Sequence, residues 1–538
     1  MNARDPHSAH PTRNAPLPDV PHVITVGLPH LTAGFDLAAR LDLTTHLKVH
    51  GPLAPVTGEH LASLAEDVSL QGRGGAGFPF ARKLRAVAEA SARRGALPVV
   101  VVNASEGEPA CRKDTVLLNR APHLVLDGAL LAAEALGART LYVAVTRDST
   151  EASVRDAFAE RGLSDRRLRN RGIRALVLRT PERMVTGEAS AVIRAANGGP
   201  ALPAGRRERA AESGVAGAPT LLSNAETYAQ LAVAARLGPQ RYSRTGLPDE
   251  PGTVLLTLSG AVPQPLVLEV PSGVPLGHVL QLAGAPPVPQ GVLTGGYHGS
   301  WIDAYAAHDA AVSRASLAAF GGALGAGALL PIGQETCPLG ESLRVANWLA
   351  AETAGQCGPC KLGLPAAAGS LSDVLDGGGQ AALERLRETT RAARGRGACK
   401  HPDGSVRFLL STLNAFTDDL AAHVLGGGCG RPTTGVLPLP GPAARSSASG
   451  RGVPSGEKLA VDWTLCQGHG LCADVVPELI RLGNDGYPAL ADAAVPLHLR
   501  ARAQRAVRRC PALALRVESA PAERPAAPAR RALDRRRG

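Results

Sequence analysis

At 538 residues the chain is too long for one hydrophobic core and divides into several domains. Its hydrophobic fraction is 44% but its aromatic fraction only 3%, so Ala, Val and Leu must build the cores. The formal charge of +11 is scattered and densest at the C-terminal end, which argues against a nucleic-acid-binding face, and Met1–Pro21 lacks the apolar stretch of a secretory leader.

Residues 1–22 read as a disordered tail. A glycine-rich loop follows at Gly72-Arg-Gly-Gly-Ala-Gly-Phe78, with Lys83 close behind it. Removing side chains lets backbone N–H groups approach a ligand phosphate or ring, although an ordinary tight turn uses glycine too. Val99–Val102 predicts a strand that runs into the polar stretch Asn103-Ala-Ser-Glu-Gly-Glu-Pro109. Pro122 opens a helix through Leu136, Leu141–Val145 is a strand, Thr150–Arg161 a helix and Ala175–Leu178 a strand. Strands alternating with helices predict a parallel α/β sheet, whose strand ends are where ligands bind.

Around Gly252 the pattern changes. Val254–Ser259, Leu266–Val270 and a short helix at Leu276–Ala283 suggest a small α+β module. The uncharged run Ala315–Gln334 is broken by Gly and Pro and reads as strand and loop, not as a membrane span. Ser342–Val424 reads as helical, interrupted at Gly377-Gly-Gly379 and at cysteine loops. Residues 431–457 are rich in Pro, Gly and Ser and read as a linker, Leu459–Val517 as a compact unit, and the remainder as a disordered basic tail.

The nine cysteines carry the strongest chemical signal. Cys357 and Cys360 lie in Gln356-Cys-Gly-Pro-Cys-Lys361, with Cys399 downstream. Cys466 and Cys472 lie in Cys-Gln-Gly-His-Gly-Leu-Cys, closed by Cys510-Pro511. Closely spaced thiolates completed by a distant Cys or Cys-Pro are how proteins hold iron–sulfur clusters. With no leader in view, metal use is favoured over disulfides. Zinc is the competing reading of the second set, because Cys and His bind zinc as well. Cys111, Cys337 and Cys429 belong to neither set and read as ordinary buried thiols. Lys occurs only at positions 48, 83, 113, 361, 400 and 458, so Lys83, Lys113, Lys361 and Lys400 are retained within the motifs of an otherwise Arg-rich chain.

From about Leu43 to Cys429 the motifs stand in one familiar order. The glycine loop, Asn-Ala-x-Glu-x-Glu-Pro, Lys113-Asp114, Gly187-Glu188, Pro219-Thr220, Asn224-Ala-Glu-Thr227 and the first cysteine region resemble the flavin-binding, NADH-oxidising subunit of respiratory complex I and its relatives in hydrogenases and formate dehydrogenases. The resemblance implies an FMN-binding α/β domain (23–245), a β-grasp, SLBB-like module (246–330) and a helical iron–sulfur domain (331–430). It further implies that Gly74, Gly75, Lys83, Asn103, Glu106, Glu188, Asn224 and Thr227 line the FMN site, with Gly72, Gly77, Phe78 and Glu108 completing the cofactor-binding set. Asp462, Cys466, His469, Cys472, Pro477-Glu478, Asp485-Gly486 and Cys510-Pro511 resemble small bacterial ferredoxins of the Cys-x-x-His-x-x-Cys type, often paired with haem-thiolate monooxygenases. This implies a ferredoxin-like α+β domain over 458–517 that holds a 3Fe-4S or 4Fe-4S cluster at Cys466, Cys472 and Cys510, with His469 as a further ligand candidate.

The chain departs from the family at Ser105, where relatives carry an aspartate, and at Ala189, where they carry a second glutamate after Gly187-Glu188. Arg206-Arg-Glu-Arg209 replaces a Lys-Pro-Pro-Phe stretch, although Phe78, the other stacking aromatic, remains. Ala354 stands at the first cluster cysteine, leaving Cys357, Cys360 and Cys399 to hold a three-iron cluster, a four-iron cluster with another ligand, or none, with His401 a conceivable substitute or a solvated loop residue. The expected function is a cytoplasmic NAD(P)H-dependent oxidoreductase without a catalytic side-chain acid or base. Electrons pass from NADH or NADPH through FMN and the clusters to a redox protein acceptor. A non-flavin docking scaffold and an input subunit of a larger dehydrogenase complex are the alternatives.

Overall fold

The computed structural model describes residues 18, 20–163, 172–205, 209–440, 457–483, 486–490 and 495–519. The chain separates into two compact units, Met1–Ala444 and Arg445–Gly538. The expected tails, most of the expected linker, and Arg206, Arg207, Glu208 and Asp485 lie outside the described residues.

The first unit contains two sheets. After a short strand β1 (His22–Thr25), the chain forms β2 (Val99–Ala104), β3 (Thr140–Val145), β4 (Arg174–Arg179) and β5 (Thr220–Asn224). These four are parallel, in the order β4-β3-β2-β5. Val99–Val102 are buried on both faces, as a central strand covered by helices requires. The helix Pro122–Leu136 packs on the helix Ala225–Leu237 so closely that a Cβ at Gly128 would stand 1.8 Å from the Tyr228 carbonyl oxygen. Pro122 at the first turn and left-handed Gly137 after Leu136 set its two ends. After β4 the chain crosses to the far side of β2 to form β5, so the sheet changes winding direction between β2 and β5. A ligand crevice lies beyond the strand ends at such a point.

The second sheet comprises β6 (Thr253–Leu258), β7 (Leu266–Pro271), β8 (Gly291–Thr294), β9 (Ser300–Asp303) and β10 (Ala328–Ile332). Its order is β1-β7-β6-β10-β8-β9, with β1 parallel to β7. No strand was expected at β1, which begins the segment that the resemblance assigns to the first α/β domain and which here completes the second sheet. The buried Glu269 carboxylate fixes the return of the N-terminal segment by accepting from the backbone N–H groups of His30, Leu31 and Thr32 at 3.1, 2.8 and 2.9 Å. The run expected as strand and loop over 315–334 contains β10 but begins in the helix Arg314–Ala319, capped by Ser313.

Helices Pro338–Ala351, Leu364–Leu375, Gly379–Ala393, His401–Ala415 and Thr417–Val424 form the bundle expected between Ser342 and Val424. The linker expected from 431 starts later. Over 432–438 the chain lies against the bundle: Cys337 N donates to the Pro432 carbonyl at 2.8 Å, Glu341 accepts from Gly435 N and Leu437 N, and Leu437 is fully buried. Composition signalled flexibility there, but the buried Glu341 carboxylate supplies acceptors for a segment with no ladder partner.

The second unit pairs β11 (Glu457–Val461) with β14 (Leu515–Ser519), and β12 (Ile480–Leu482) with β13 (Pro488–Leu490), both antiparallel. The helices Leu471–Val475 and Arg500–Arg509 cover a small core that includes Val476, Ile480, Ala503 and Ala506. Among the described residues no single helix is long and apolar enough to cross a membrane.

Candidate functional site

The glycine loop is a closed turn between the helices Gly58–Asp67 and Phe80–Arg94, and a Cβ at Gly74 would lie 3.3 Å from Asn224 at the end of β5. Gly72 N donates to the Phe78 carbonyl at 3.0 Å, and Gly75 and Gly77 have φ of +113° and +61°. Arg314, from the second sheet's side, donates to the Gly72 and Gly75 carbonyls at 2.8 and 3.3 Å. A Cβ at Gly77 would meet its guanidinium at 2.9 Å. Arg73 N donates to the Thr227 hydroxyl at 2.9 Å, tying the loop to the helix after β5. With its carbonyls held this way, the loop can offer N–H groups to an anion.

Asn103 and Asn224 end β2 and β5 as direct register partners. Asn103 donates to the Gly187 carbonyl at 3.0 Å and accepts from Ser105 N at 3.1 Å. Asn224 caps the helix Ala225–Leu237 and accepts from the Lys113 ammonium at 3.2 Å. Lys113 is buried between Glu226 at 2.8 Å and Asp114 at 3.0 Å. Burial, together with the local excess of carboxylates, pushes Asp114 up to about 6.

The three glutamates expected at the cofactor serve structural partners. Both Glu106 oxygens cap the helix Lys113–Arg120, accepting from Asp114 N and from Thr115 N at 3.1 Å each and from the Thr115 hydroxyl at 2.6 Å. Glu108 accepts from Tyr297 N of the second sheet. Glu188 accepts from the Ser190 hydroxyl at 2.6 Å at the start of the helix Ala189–Ala196.

Lys83 is the residue that tests the fit of a flavin phosphate. Among the described residues its half-buried ammonium is hydrogen-bonded only to the Leu222 carbonyl, at 2.9 Å. Burial alone pulls its pKa down, with no carboxylate acting against it. An ammonium with unused donors beside a glycine loop suits a phosphate. Phe78 is exposed on the loop, with the Arg82 guanidinium 5.5 Å from its ring centroid.

This crevice reaches the first cysteine set through one loop. A Cβ at Gly107 would lie 2.0 Å from the Arg183 carbonyl oxygen, and one at Gly187 2.5 Å from that of Ser105, so segments 103–109 and 183–188 run backbone against backbone. Arg183 donates to the Thr353 carbonyl at 2.9 Å, and Met184 N donates to Glu352 at 3.1 Å, directly before Ala354. Cys357 and Cys360 are buried around the π-helical turn Pro359–Gly363, and Cys399 is half-buried. The Cys360 thiol hydrogen bond lowers Cys357 to about 6, and burial raises Cys399 to about 11. Cys360 and Cys399 each feel the charge of Cys357.

His401 is neither the substitute ligand nor a solvated residue. It is buried, its Nε2 donates to the Leu349 carbonyl at 2.8 Å and its Nδ1 accepts from His298 Nε2 at 3.0 Å. Burial lowers it to about 4, so it stays neutral with both ring nitrogens occupied. Of the motif lysines, Lys83 and Lys113 are half-buried and buried, whereas Lys361 and Lys400 are exposed.

In the second unit Cys466, Cys472 and Cys510 are half-buried and the charges of Cys466 and Cys510 act on Cys472. Asp462 turns the approach to Cys466 by accepting from Thr464 N at 2.9 Å, and Ala514 N donates to Cys510 Sγ at 3.3 Å. Gly468 and Gly470 have φ of +71° and +76°, which bends the chain between the first two cysteines, and His469 is exposed on that bend. Three thiols on a glycine-bent loop and a following Cys-Pro suit an iron–sulfur cluster.

The sequence reading passed over Arg314 and the pairing of Lys113 with Glu226. It also missed the meeting of Cys337, His423 and Cys429, whose ligand atoms all lie within 4.8 Å of one another. No local spacing announces that trio, because Cys337 is distant in sequence from the other two.

Glycine loop, strand-end asparagines and two thiol sets define a flavin–iron–sulfur protein. Three protein families match the chain: "Nuo51 FMN-binding domain" over residues 65–233, "NADH-ubiquinone oxidoreductase-F iron-sulfur binding region" over 341–423, and "4Fe-4S single cluster domain" over 459–517. The second F-type subunit of the NADH-quinone oxidoreductase of Rhizobium meliloti is 29% identical over 384 residues, covering 69% of this chain and 90% of that protein. The F-type subunit of the Escherichia coli NADH-quinone oxidoreductase is 28% identical over 390 residues, covering 69% and 86%. An NAD+-reducing [NiFe]-hydrogenase in the air-oxidised state superposes with a TM-score of 0.64 at 26% identity, over 75% of this chain and 68% of that one. Over these regions the chain is similar to the F-type, 51K flavoprotein subunits of complex I, and its C-terminal region matches a 4Fe-4S single cluster domain.

Proposed function

We propose that the chain takes electrons from a nicotinamide dinucleotide, NADH in the named relatives, and passes them through FMN and iron–sulfur clusters to its C-terminal ferredoxin unit. The observation that carries this reading is the Lys83 ammonium beside β5, without a carboxylate partner among the described residues, in the same unit as Cys357, Cys360 and Cys399. Bound FMN supplies the conversion between a hydride pair and single electrons. Lys83 would neutralise its phosphate beside the N–H groups of the Gly72–Phe78 loop. Thr227 accepts from Arg73 N and keeps its own hydroxyl proton to donate, Asn103 keeps one amide N–H near the end of β2, and Asn224, whose amide is spent on Asn103 and Asp114, holds the strand ends together. Glu106, Glu108 and Glu188 act by positioning these segments. Phe78 offers a face for the adenine of the donor.

The second sheet, with the helix Leu276–Leu282, is read as a β-grasp module that closes the glycine loop through Arg314. The first thiol set serves as a relay. The second unit is read as a ferredoxin-like fold whose acceptor is a redox protein, a haem-thiolate monooxygenase being the kind suggested by its Cys-x-x-His-x-x-Cys motif. A second reading, an input subunit of a larger dehydrogenase, is supported by the relatives, each of which is named as a subunit. Nothing in either reading needs a membrane span or nucleic acid.

Anaerobic purification with flavin, iron and sulfide analysis, followed by rapid mixing with NADH, tests the proposal. Wild type should bind FMN and show flavin reduction before cluster reduction. Cys466→Ser should retain FMN and its reduction by NADH but fail to reduce a ferredoxin-dependent acceptor. Wild-type transfer rates in that variant would remove the ferredoxin unit from the route, and folded protein that binds no FMN would remove the flavin reading.

A further inference from the structure

Cys337 precedes the helix Pro338–Ala351 and accepts at Sγ from Gly340 N at 3.3 Å. His423 lies in the last turn of the helix Thr417–Val424, and Cys429 follows in the segment that leads to the strap at 432–438. Cys337 and His423 are buried and Cys429 is half-buried. We propose that Cys337, His423 and Cys429 form a metal site of their own, separate from both cluster sets, that takes one Zn2+.

Three geometric facts support it. Sγ of Cys337 and Nε2 of His423 are 3.4 Å apart. A tetrahedral zinc with bonds of about 2.3 Å to sulfur and 2.0 Å to nitrogen holds those two atoms about 3.5 Å apart. All three ligand atoms lie within 4.8 Å of one another, which suits a single ion. An iron–sulfur cluster would hold its cysteines apart by the width of its iron core, whereas the 3.4 Å between Cys337 Sγ and His423 Nε2 leaves room for one ion only. The donor set also selects the ion. Two thiolates and an imidazole are borderline-soft ligands that suit zinc and reject magnesium or calcium.

The site joins three parts of the first unit: the start of one bundle helix, the end of another and the chain beyond it. Cys337 also donates its backbone N–H to Pro432, so a zinc ion here would sit at the root of the strap. Three protein ligands leave the fourth position for water or an exogenous ligand, and the half-buried Cys429 marks the side nearest solvent.

Elemental analysis of the full-length protein, purified without chelator from zinc-supplemented medium, tests the assignment. About one zinc per chain is expected in wild type. Cys429→Ser should lower zinc about tenfold while iron and flavin stay at wild-type levels. Cys429→His, which keeps a ligand, should retain zinc. Cys466→Ser should lower iron and leave zinc unchanged, which separates this site from zinc in the ferredoxin unit. Zinc X-ray absorption on wild type needs no variant and should show two sulfur ligands beside nitrogen or oxygen. Wild type without zinc, zinc retained in Cys429→Ser, zinc lost in Cys466→Ser, a first shell lacking sulfur, or a Cys337–Cys429 disulfide found by mass spectrometry of alkylated peptides would each overturn it.

Discussion

Glu108 joins the parallel sheet domain to the second sheet through one backbone group: both of its carboxylate oxygens accept from Tyr297 N, at 3.1 and 3.3 Å. The carboxylate is fully enclosed, and burial pushes its pKa from 4.5 up to about 8. Between those values the folded chain keeps a proton that the unfolded chain has released. Stability therefore falls as pH rises from about 4.5 to about 8, by up to about 1.4 kcal/mol per unit, and is flat outside that window. Glu108→Gln should remove this slope. Thermal unfolding between pH 5 and 8 should show the variant gaining on wild type towards pH 8, and parallel curves would refute the account.

Lys83→Gln removes a charge-assisted contact to the flavin phosphate, worth about 1.5–3 kcal/mol. FMN affinity, measured by fluorescence titration of deflavinated protein, should drop about tenfold to a hundredfold. Lys83→Glu should bind more weakly still, because it sets like charges together. Unchanged affinity in Lys83→Glu would place the phosphate elsewhere.

Gly128→Ala should be among the most damaging small substitutions in the chain. Its Cβ would lie 1.8 Å from the Tyr228 carbonyl oxygen, so two helices must separate along their backbones. A cost of about 3 kcal/mol in urea unfolding is expected, the upper end for overpacking. Gly137→Ala meets no atom within 4 Å and suffers only from its positive φ, with a cost of about 1 kcal/mol.

The nicotinamide donor should be chosen loosely. Ala189, where the resemblance implies a second glutamate, is the first residue of the helix that follows Glu188. An acid near the adenosine ribose favours a free 2′-hydroxyl and repels a 2′-phosphate, whereas arginine accommodates the phosphate. Arg206, Arg207 and Arg209 add positive charge to the segment that follows this helix. Wild type should use NADPH as well as NADH, and Ala189→Glu should shift kcat/KM towards NADH by about tenfold, or about 1.4 kcal/mol. Strict NADH use by wild type would sink it.

The parallel sheet was legible because its signals are local. Val99–Val102 is an unbroken β-branched run, and Pro122 and Gly137 mark both ends of one helix. The glycine loop, the strand-end asparagines and the cluster cysteines were legible as motifs. What the sequence hid depends on distant partners. Only Glu269 and the β7 ladder show that β1 belongs to the second sheet. Composition cannot tell that His401 is walled in by Leu349 and His298, or that Glu106 faces a helix end. The strap at 432–438 carries the residues of a linker, yet the buried Glu341 carboxylate, the Cys337 N–H and the Tyr297 hydroxyl, all distant in sequence, hold it in place.

That strap also decides where one module stops. Glu341 receives Gly435 and Leu437, and the Tyr297 hydroxyl donates to the Pro438 carbonyl at 2.6 Å. Tyr297 is the same residue whose backbone holds Glu108. Severing the protein at 430, where composition invites the cut, would strip the strap from the bundle, leave the Tyr297 hydroxyl without its acceptor and cost Glu341 the backbone donors of Gly435 and Leu437. The first compact unit runs to Ala444, so the gene segment that evolution or an engineer could exchange for a different electron carrier begins beyond the strap and not where the composition changes.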